Sequence, residues 1–187
     1  VFQTRKAEEI VTSVRSYAKE QKLKKSPLSV NEVVTEAVKD FTSTLQDYPL
    51  QIEFEEDPRS PICSLAPLEF ELAVFNLLKN AKEALKAQKA DEPKLFIKLS
   101  SSETHCFVDI SDNGAVISDS DFERMGSVFK SGKASGLGIG LSIVRSIVQN
   151  HNGSLVLERG KNGGLVCRIR LPILKEPLHK RWVICYN

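Results

Sequence analysis

Two asparagines four residues apart, Asn76 and Asn80, lie in the segment Asn76-Leu-Leu-Lys-Asn80-Ala. On a helix, side chains at positions i and i+4 share one face, so both carboxamides can point into one pocket. An amide oxygen is a hard, neutral ligand that suits Mg²⁺, whose shell is completed by waters and phosphate oxygens. Asparagines on helices are more often exposed or bonded to the backbone. The pair by itself therefore indicates only a candidate site for a metal and phosphate.

A second polar motif, Asp112-Asn113-Gly114, follows an apolar run that is typical of a strand. A carboxylate at the end of a strand can accept a hydrogen bond from an exocyclic amine, such as N6 of adenine. The glycine lets a ring approach the backbone closely. Asp, Asn and Gly also form ordinary tight turns. The motif alone leaves a purine-binding loop and a simple turn as alternatives.

Spaced glycines occur in Gly136-Leu137-Gly138-Ile-Gly140-Leu141, which opens a helical pattern. Free backbone amides at the N-terminus of a helix bind phosphate, and the helix dipole assists them. No Gly-Lys-Ser/Thr sequence closes the run, as a P-loop requires, and no strand-turn-helix unit of dinucleotide-binding spacing surrounds it. The glycines therefore indicate a phosphate-binding segment of another kind.

Hydrophobic periodicity predicts the elements that must position these groups. Helices are predicted over about 30–45, 68–88 and 141–151, and strands over 51–56, 94–99, 106–111, 155–157 and 166–171. Ser29 followed by Glu32 is a capping-box pattern for the first helix. The irregular stretch 112–140, with a short helix near 118–125, is typical of a functional loop. The order of elements predicts an α+β fold, a two-layer α/β sandwich with helices on one face of a mixed sheet.

Flanking segments are predicted on both sides of this domain. Apolar residues recur at helical spacing over 4–21, and the resulting stripe needs a partner helix to cover it. The lysine-rich stretch after it, up to Pro27, is typical of a linker. We therefore divide the sequence into a flanking helix and hinge over 1–26, one domain over 27–173 and a C-terminal extension of open role over 174–187.

The composition excludes several classes of function. The 26 basic and 24 acidic residues give a net charge of +2, without the concentrated basic face that nucleic-acid binding needs. No run approaches the roughly 20 apolar residues of a membrane span. We expect a cytoplasmic domain that makes no direct membrane contact. Widely spaced cysteines without a CxxC pair are interpreted as reduced core residues: Cys63, Cys106, Cys167 and Cys185.

Taken in this order, the motifs resemble the N box (75–84), the G1 box (112–116), the F-box region (125–133) and the G2 box (136–141) of sensor histidine kinases. The resemblance covers about 29–172 and extends to Asn150-His151-Asn-Gly153, Gly163-Gly164 and Leu171-Pro172. It implies the Bergerat fold, shared with gyrase, mismatch-repair and heat-shock chaperone ATPases. It also implies ATP and Mg²⁺ as cofactors.

The resemblance implies roles for individual residues. Asn80 is the implied magnesium ligand and catalytic residue, Asn76 its companion near the phosphates, and Glu83 a residue at the border of the pocket or simply on the surface. Asp112 is implied to read adenine, with Gly114 beneath the ring. The implied phosphate side of the pocket consists of Gly136, Leu137, Gly138, Gly140 and Leu141. Two lysines of the lid region are phosphate contacts or solvated loop residues, namely Lys130 and Lys133.

One position separates phosphoryl transfer from ATP hydrolysis. Relatives that hydrolyse ATP carry a glutamate four residues before the magnesium asparagine, as general base for water, and here that position is Asn76. An amide cannot accept a proton near neutral pH, so this route to activated water is closed. We therefore expect the chain to hold ATP for an external nucleophile.

The G1 box departs from the family pattern Asp-x-Gly-x-Gly, because Val116 stands at its second glycine. Valine is poor at positive φ and bulky where a ligand approaches the backbone. We expect Val116 to weaken ATP binding by about 1–3 kcal/mol, roughly tenfold to hundredfold. The alternative is an extended backbone in which the valine methyls pack against the adenine edge and affinity stays normal.

The function that the resemblance implies is transfer of the ATP γ-phosphoryl group to a histidine on a separate helical hairpin, whose second helix would end in 4–21. None of His105, His151 and His179 has such a setting, so we expect the acceptor hairpin to lie outside this sequence. The implied partners are that hairpin and a cognate response regulator, in a parent protein that an inner-membrane anchor would suit. The alternatives are a serine kinase of the anti-sigma-factor type and a degenerate nucleotide-binding interaction module. An upstream helix carrying His followed by Glu or Asp would favour the histidine kinase.

Overall fold

The computed structural model describes residues 24–46, 48–123, 138–161 and 163–174. In chain order the elements are β1 (Ser26–Ser29), α1 (Val30–Ser43), β2 (Gln51–Glu55), β3 (Ile62–Leu65), α2 (Pro67–Ala87), β4 (Lys94–Ser101), β5 (His105–Asp112), α3 (Gly138–Asn150), β6 (Ser154–Arg159) and β7 (Leu165–Pro172). Residues 119–123 are also helical, within the stretch where a short helix is predicted. The predicted helix over 4–21 lies outside the described residues.

Five strands form one mixed sheet in the order β2-β4-β5-β7-β6. β2 pairs with β4 in parallel, and the remaining pairs are antiparallel. Burial alternates along β5, so one face of the sheet lies in the core and the other faces outward. The apolar sides of α1, α2 and α3 pack in the same core as the buried face. The predicted α+β sandwich, with helices on one face of a mixed sheet, is confirmed.

The capping of α1 and its packing on α2 follow from the sequence pattern. Ser29 Oγ accepts a hydrogen bond from the Glu32 backbone N–H at 3.4 Å, which confirms the predicted N-cap. The buried face of α1 ends at Phe41, whose ring meets Phe75 of α2 edge to face at 5.9 Å between centroids. Removing a buried Phe side chain of this kind costs about 3–5 kcal/mol. This contact therefore holds α2, the helix that carries the two asparagines, against the rest of the domain.

A second, two-stranded sheet of β1 and β3 is not predicted by the hydrophobic pattern. Ser26 pairs with Leu65 in antiparallel register, so the linker prediction is wrong at its end, where β1 begins. At the other end of the chain, the Leu174 backbone N–H donates to Ile62 O at 2.8 Å and ties the first residue of the predicted extension to β3. Both strands have four residues and their partners are far apart in sequence, so local periodicity cannot reveal them.

Three cysteines, Cys63, Cys106 and Cys167, are buried free thiols, which confirms their predicted burial. Cys185 lies outside the described residues. Burial raises the pKa of the Cys167 thiol to about 12, and the nearby Asp112 carboxylate contributes. Across the described ranges, no helix is both long enough and apolar enough to cross a membrane.

Candidate functional site

Asn76 and Asn80 of α2 face the first turn of α3. A Cβ atom placed on Gly140 would lie 3.2 Å from Asn80 Oδ1, 3.3 Å from Asn80 Nδ2 and 3.7 Å from Asn76 Oδ1. The two helices approach this closely because Gly140 has no side chain. The structure thus brings together residues of two motifs that are far apart in sequence, at the N-terminal end of α3.

The two carboxamides have different hydrogen-bonding states. Asn76 Nδ2 donates to Leu72 O at 2.8 Å, which fixes this amide and leaves its oxygen on the side of Gly140. Asn80 Nδ2 is buried and has no hydrogen-bond partner among the described residues. A buried, unpaired polar group costs about 1–3 kcal/mol, so its persistence here is typical of a group that pairs with a ligand.

This donor set fits Mg²⁺ together with phosphate and does not fit a carboxylate-bound metal. Amide oxygens are neutral, hard ligands, and the free N–H of Asn80 can donate to a phosphate oxygen. No group of three His, Cys, Asp or Glu side chains that could hold a metal occurs in the described part of the chain. A cation at this point would therefore need most of its ligands from phosphate and water.

Asp112 ends β5 and its carboxylate is buried. Asp112 Oδ1 accepts from the Gly114 N–H at 2.8 Å, and Oδ2 accepts from the Leu165 N–H at 3.2 Å. Burial raises the pKa of Asp112, and these two backbone donors only partly offset that rise. Each carboxylate oxygen keeps a second lone pair, so the group can still accept a hydrogen bond from an exocyclic amine. A buried carboxylate with a raised pKa at a strand end is a candidate for binding.

Gly114 is needed by the packing of its own loop. An added Cβ would lie 2.6 Å from Asp112 Oδ1 and 2.6 Å from Gln88 Oε1. The predicted position of Gly114 beneath an adenine ring stays a prediction. Gln88, which sequence reasoning missed, lies directly against this loop although it belongs to the end of α2.

Gly163 and Gly164 support Asp112 from the turn between β6 and β7. Their φ angles are +105° and +71°, and a Cβ on Gly164 would lie 2.1 Å from Asp112 O. Only glycine fits this conformation and this close approach together. The pair is part of the family resemblance in the sequence, but its contact with Asp112 is missed. The contact depends on the pairing of β5 with β7, which the local sequence does not specify.

Val116 is 81% exposed. Its φ is not positive, since the described non-glycine residues with a positive φ are Gln46, Ser60, Lys89 and Asn152. The backbone-strain reason for weaker ATP binding is therefore removed. The bulk of the side chain remains as a reason, and the effect on affinity stays a prediction.

The structure describes only some of the remaining predicted site residues. Glu83 is exposed and its carboxylate lies 3.8 Å from Lys79 Nζ. Leu141 is half-buried against the hydrophobic core, and Gly138 is the first residue of α3. Four residues lie outside the described ranges, so their roles stay predictions: Lys130, Lys133, Gly136 and Leu137.

His151 joins the end of α3 to the start of α2, far from Gly140. His151 Nε2 accepts from the Ala66 backbone N–H at 3.0 Å, and its Nδ1–H donates to Ile147 O at 2.7 Å. Burial lowers the pKa of His151, so the ring is neutral with the proton on Nδ1. Both nitrogens are used in packing the two helices that carry the site, which makes His151 a structural residue.

Three relatives illustrate what this chain resembles in sequence. The C4-dicarboxylate transport sensor protein DctS of Rhodobacter capsulatus is 27% identical over 174 residues, which is 93% of this chain and 26% of that protein. The sensor protein FixL of Bradyrhizobium diazoefficiens is 26% identical over 93% of this chain and 34% of its own length. Sporulation kinase B of Bacillus subtilis is 26% identical over 89% of this chain and 38% of its own length. The chain thus spans about a quarter to two fifths of these relatives.

Solved structures support the fold. The catalytic domain of the histidine kinase ThkA superposes with a TM-score of 0.67 at 24% identity, covering 79% of this chain and 97% of that domain. The ATP-binding domain of PrrB from Mycobacterium tuberculosis gives a TM-score of 0.63 at 24% identity, over 81% of this chain and 99% of that domain. Residues 66–175, which include α2, β5 and α3, match the family described as histidine kinase-, DNA gyrase B- and HSP90-like ATPases. The chain belongs to this ATPase family.

Proposed function

We propose that the chain is the ATP-binding catalytic domain of a sensor histidine kinase. In this role it holds Mg²⁺-ATP and passes the γ-phosphoryl group to a histidine on a helical hairpin of the same parent protein. The observation that carries the proposal is the junction of Asn76, Asn80 and Gly140, where amide groups and the start of α3 meet. Asp112, at the end of β5, supplies the acceptor for the base.

The residues that contact the nucleotide form two groups, one at the base and one at the phosphates. Asp112 accepts a hydrogen bond from the exocyclic amine of adenine, and the backbone amides at the start of α3 bind phosphate oxygens. Asn80 would hold Mg²⁺ through Oδ1, with Asn76 beside it. Bound Mg²⁺ would neutralise phosphate charge and favour attack on the γ-phosphorus. Lys130 and Lys133 are proposed as further phosphate contacts, and Glu83 as a residue at the border of the pocket.

The same geometry disfavours hydrolysis. Asn76 occupies the position of the general base in ATP-hydrolysing relatives, and its amide is fixed by its bond to Leu72 O. An amide cannot take the proton of an attacking water. We therefore expect negligible steady-state hydrolysis of ATP, and turnover at the level of true ATPases would contradict this role of Asn76.

The described histidines are poor acceptors for the phosphoryl group. His151 is buried and both of its ring nitrogens are hydrogen-bonded. His105 begins β5, about 23 Å along the strand from Asp112 at roughly 3.3 Å per residue. His179 lies outside the described residues. These positions favour an acceptor on a separate hairpin. As part of the same proposal, the downstream partner is a response regulator, this domain is cytoplasmic, and an inner-membrane anchor would suit the parent protein.

Transfer in trans tests the proposal. The chain is mixed with ATP labelled at the γ-phosphate and with a separately prepared histidine hairpin from the same parent, and label on the hairpin is the expected result. Asn80→Ala should abolish transfer, because it removes the metal ligand, while Lys130→Ala should only weaken it. Absence of transfer at high concentrations of both partners contradicts the kinase assignment. Equal transfer by Asn80→Ala and the parent removes Asn80 from its assigned role.

A further inference from the structure

Gln88 caps the C-terminus of α2, the helix that carries Asn76 and Asn80. The chain reverses directly after it: the Lys89 N–H donates to Lys86 O and the Ala90 N–H donates to Leu85 O, both at 3.2 Å. Lys89 adopts φ +52° at the position where helices often have glycine. This Schellman turn ends the helix at Gln88 and places its side chain beside the loop that follows Asp112.

The Gln88 carboxamide bonds to this loop. Gln88 Oε1 accepts from the Ala115 backbone N–H at 2.7 Å. The same oxygen would lie 2.6 Å from a Cβ on Gly114, so it lies directly against the backbone there. Gln88 also lines an open cleft with Asn113, Gly114 and Ala115. The contact therefore joins the end of α2 to the loop in which the Gly114 N–H bonds to the Asp112 carboxylate.

A second amide holds the other side of the loop. Asn113 Oδ1 accepts from the Lys94 N–H and Asn113 Nδ2 donates to Glu92 O, both at 2.8 Å. These bonds tie the loop to the connection between α2 and β4. The Gln88 bond is the one that reaches α2 itself, and Gln88 follows Asn80 by about 12 Å along the helix axis at roughly 1.5 Å per residue.

We propose that Gln88 is a positioning residue for the nucleotide: by fixing Ala115 it holds Asp112 at a set distance from Asn80. One helix then determines the separation between the base end and the phosphate end of the site. The inference rests on the proposed function. The ligand class it implies is a purine nucleoside triphosphate with an exocyclic amine that Asp112 can read. Gln88 acts through Gly114, whose N–H bonds to Asp112 Oδ1, and it does not touch the ligand.

Three variants isolate this contact. Gln88→Met keeps the length of the side chain and removes the acceptor, while Gln88→Glu keeps an acceptor oxygen. Lys86→Met is the matched control, because it changes an exposed side chain in the same last turn. Affinity is measured with Mg²⁺ by displacement of a fluorescent nucleotide, for ATP and for the purine riboside triphosphate that lacks the 6-amino group. Hydrogen exchange of the Ala115 amide is measured in parallel.

Gln88→Met should weaken ATP binding by about threefold to tenfold, the equivalent of one neutral hydrogen bond. The analogue without the amine should bind as before, since Asp112 has nothing to read in it. Lys86→Met should behave like the parent, and Gln88→Glu should keep the Ala115 amide protected because it retains the acceptor oxygen. The Ala115 amide should exchange faster in Gln88→Met, while the Ile173 amide, which donates to Thr104 O at 3.0 Å just after β7, should not change.

Two kinds of failure are distinguishable. If the parent chain does not bind ATP, the proposed function is contradicted. If the parent binds ATP and Gln88→Met binds it equally well, the positioning role of Gln88 is overturned while the function stands. An equal loss of affinity for ATP and for the analogue also overturns the positioning role. Gln88 would then stabilise the site as a whole and not the hydrogen bond between Asp112 and the amine.

Discussion

Replacing His151 removes the contact that joins α2 to α3 at the end opposite the site. The ring is 3% exposed and its centroid lies 5.9 Å from that of Phe70. In His151→Leu the Ile147 carbonyl still accepts from the backbone N–H of residue 151, at 3.1 Å in the parent chain. The Ala66 N–H, in contrast, loses its acceptor. The destabilisation therefore comes mainly from one buried donor without a partner.

The magnitude follows from that single donor. A buried, unpaired N–H costs about 1–3 kcal/mol, so His151→Leu should lose that much free energy of unfolding. For a domain of this size the loss corresponds to roughly 2–12 °C in melting temperature. His151→Gln should lose less, because its Oε1 can replace Nε2 as the acceptor for Ala66. Thermal melts followed by circular dichroism at pH 7.5 measure both variants.

The pH dependence provides a second, independent readout. Burial lowers the pKa of His151 below its usual 6.5. The hydrogen bond to Ile147 O opposes this shift, Lys25 adds to it, and Glu69 opposes it. The unfolded chain therefore binds a proton that the folded chain does not, and stability present above pH 6.5 is lost as pH falls toward the folded pKa. Asp112 has the opposite sign, because its raised pKa makes stability increase as pH falls.

Comparing the parent chain with His151→Gln separates the pH-dependent contribution of His151 from that of Asp112, since Asp112 is present in both proteins. The parent chain should lose more stability than His151→Gln between pH 7.5 and 5.5. If both proteins lose the same amount of stability, or if His151→Leu melts at the same temperature as the parent at pH 7.5, the assigned hydrogen bonds of His151 are refuted.

Four further predictions concern single residues. Val116→Gly should tighten ATP binding by up to about tenfold in calorimetric titration, because only side-chain bulk remains to relieve, and equal or weaker binding would make valine a native part of the pocket. Gly140→Ala should weaken Mg²⁺-ATP binding, because its methyl would lie 3.2 Å from Asn80 Oδ1, and unchanged affinity would contradict the site. Lys89→Gly should raise the free energy of unfolding by about 1 kcal/mol in urea titrations, since glycine accepts positive φ without strain, and no gain would refute that strain. Arg168→Leu breaks a bidentate ion pair on the outward face of the sheet, so it should lose up to about 1 kcal/mol of stability, and any change in ATP affinity would be unexpected.

The features that depend on local spacing could be predicted from the sequence. The four-residue separation of Asn76 and Asn80 fixes their common face on a helix, and the glycines ending at Gly140 open the next helix as predicted. The N-cap at Ser29 and the buried strand before Asp112 follow in the same way. Each of these needs only the period of a helix or strand and the chemistry of one terminus.

Features that depend on contacts between distant segments could not be predicted. Pairing of Ser26 with Leu65 involves two four-residue strands without a periodic pattern. The support of Asp112 by Gly164 requires the register of β5 against β7. The bond from Gln88 to Ala115 arises because a turn with Lys89 in a left-handed conformation ends α2 there, and lysine carries no sequence signal for that conformation.

The fate of the γ-phosphoryl group tests most directly whether this chain holds ATP for a histidine and not for water. The chain, ATP labelled at the γ-phosphate, Mg²⁺ and the separate hairpin are incubated together, and label is counted over time in the chain, in the hairpin and in inorganic phosphate. A hairpin whose acceptor histidine is replaced by glutamine serves as the control. We predict label on the intact hairpin, none on the chain or on the control, and little inorganic phosphate before transfer. Rapid release of phosphate without the hairpin, or label on the chain itself, would contradict the account.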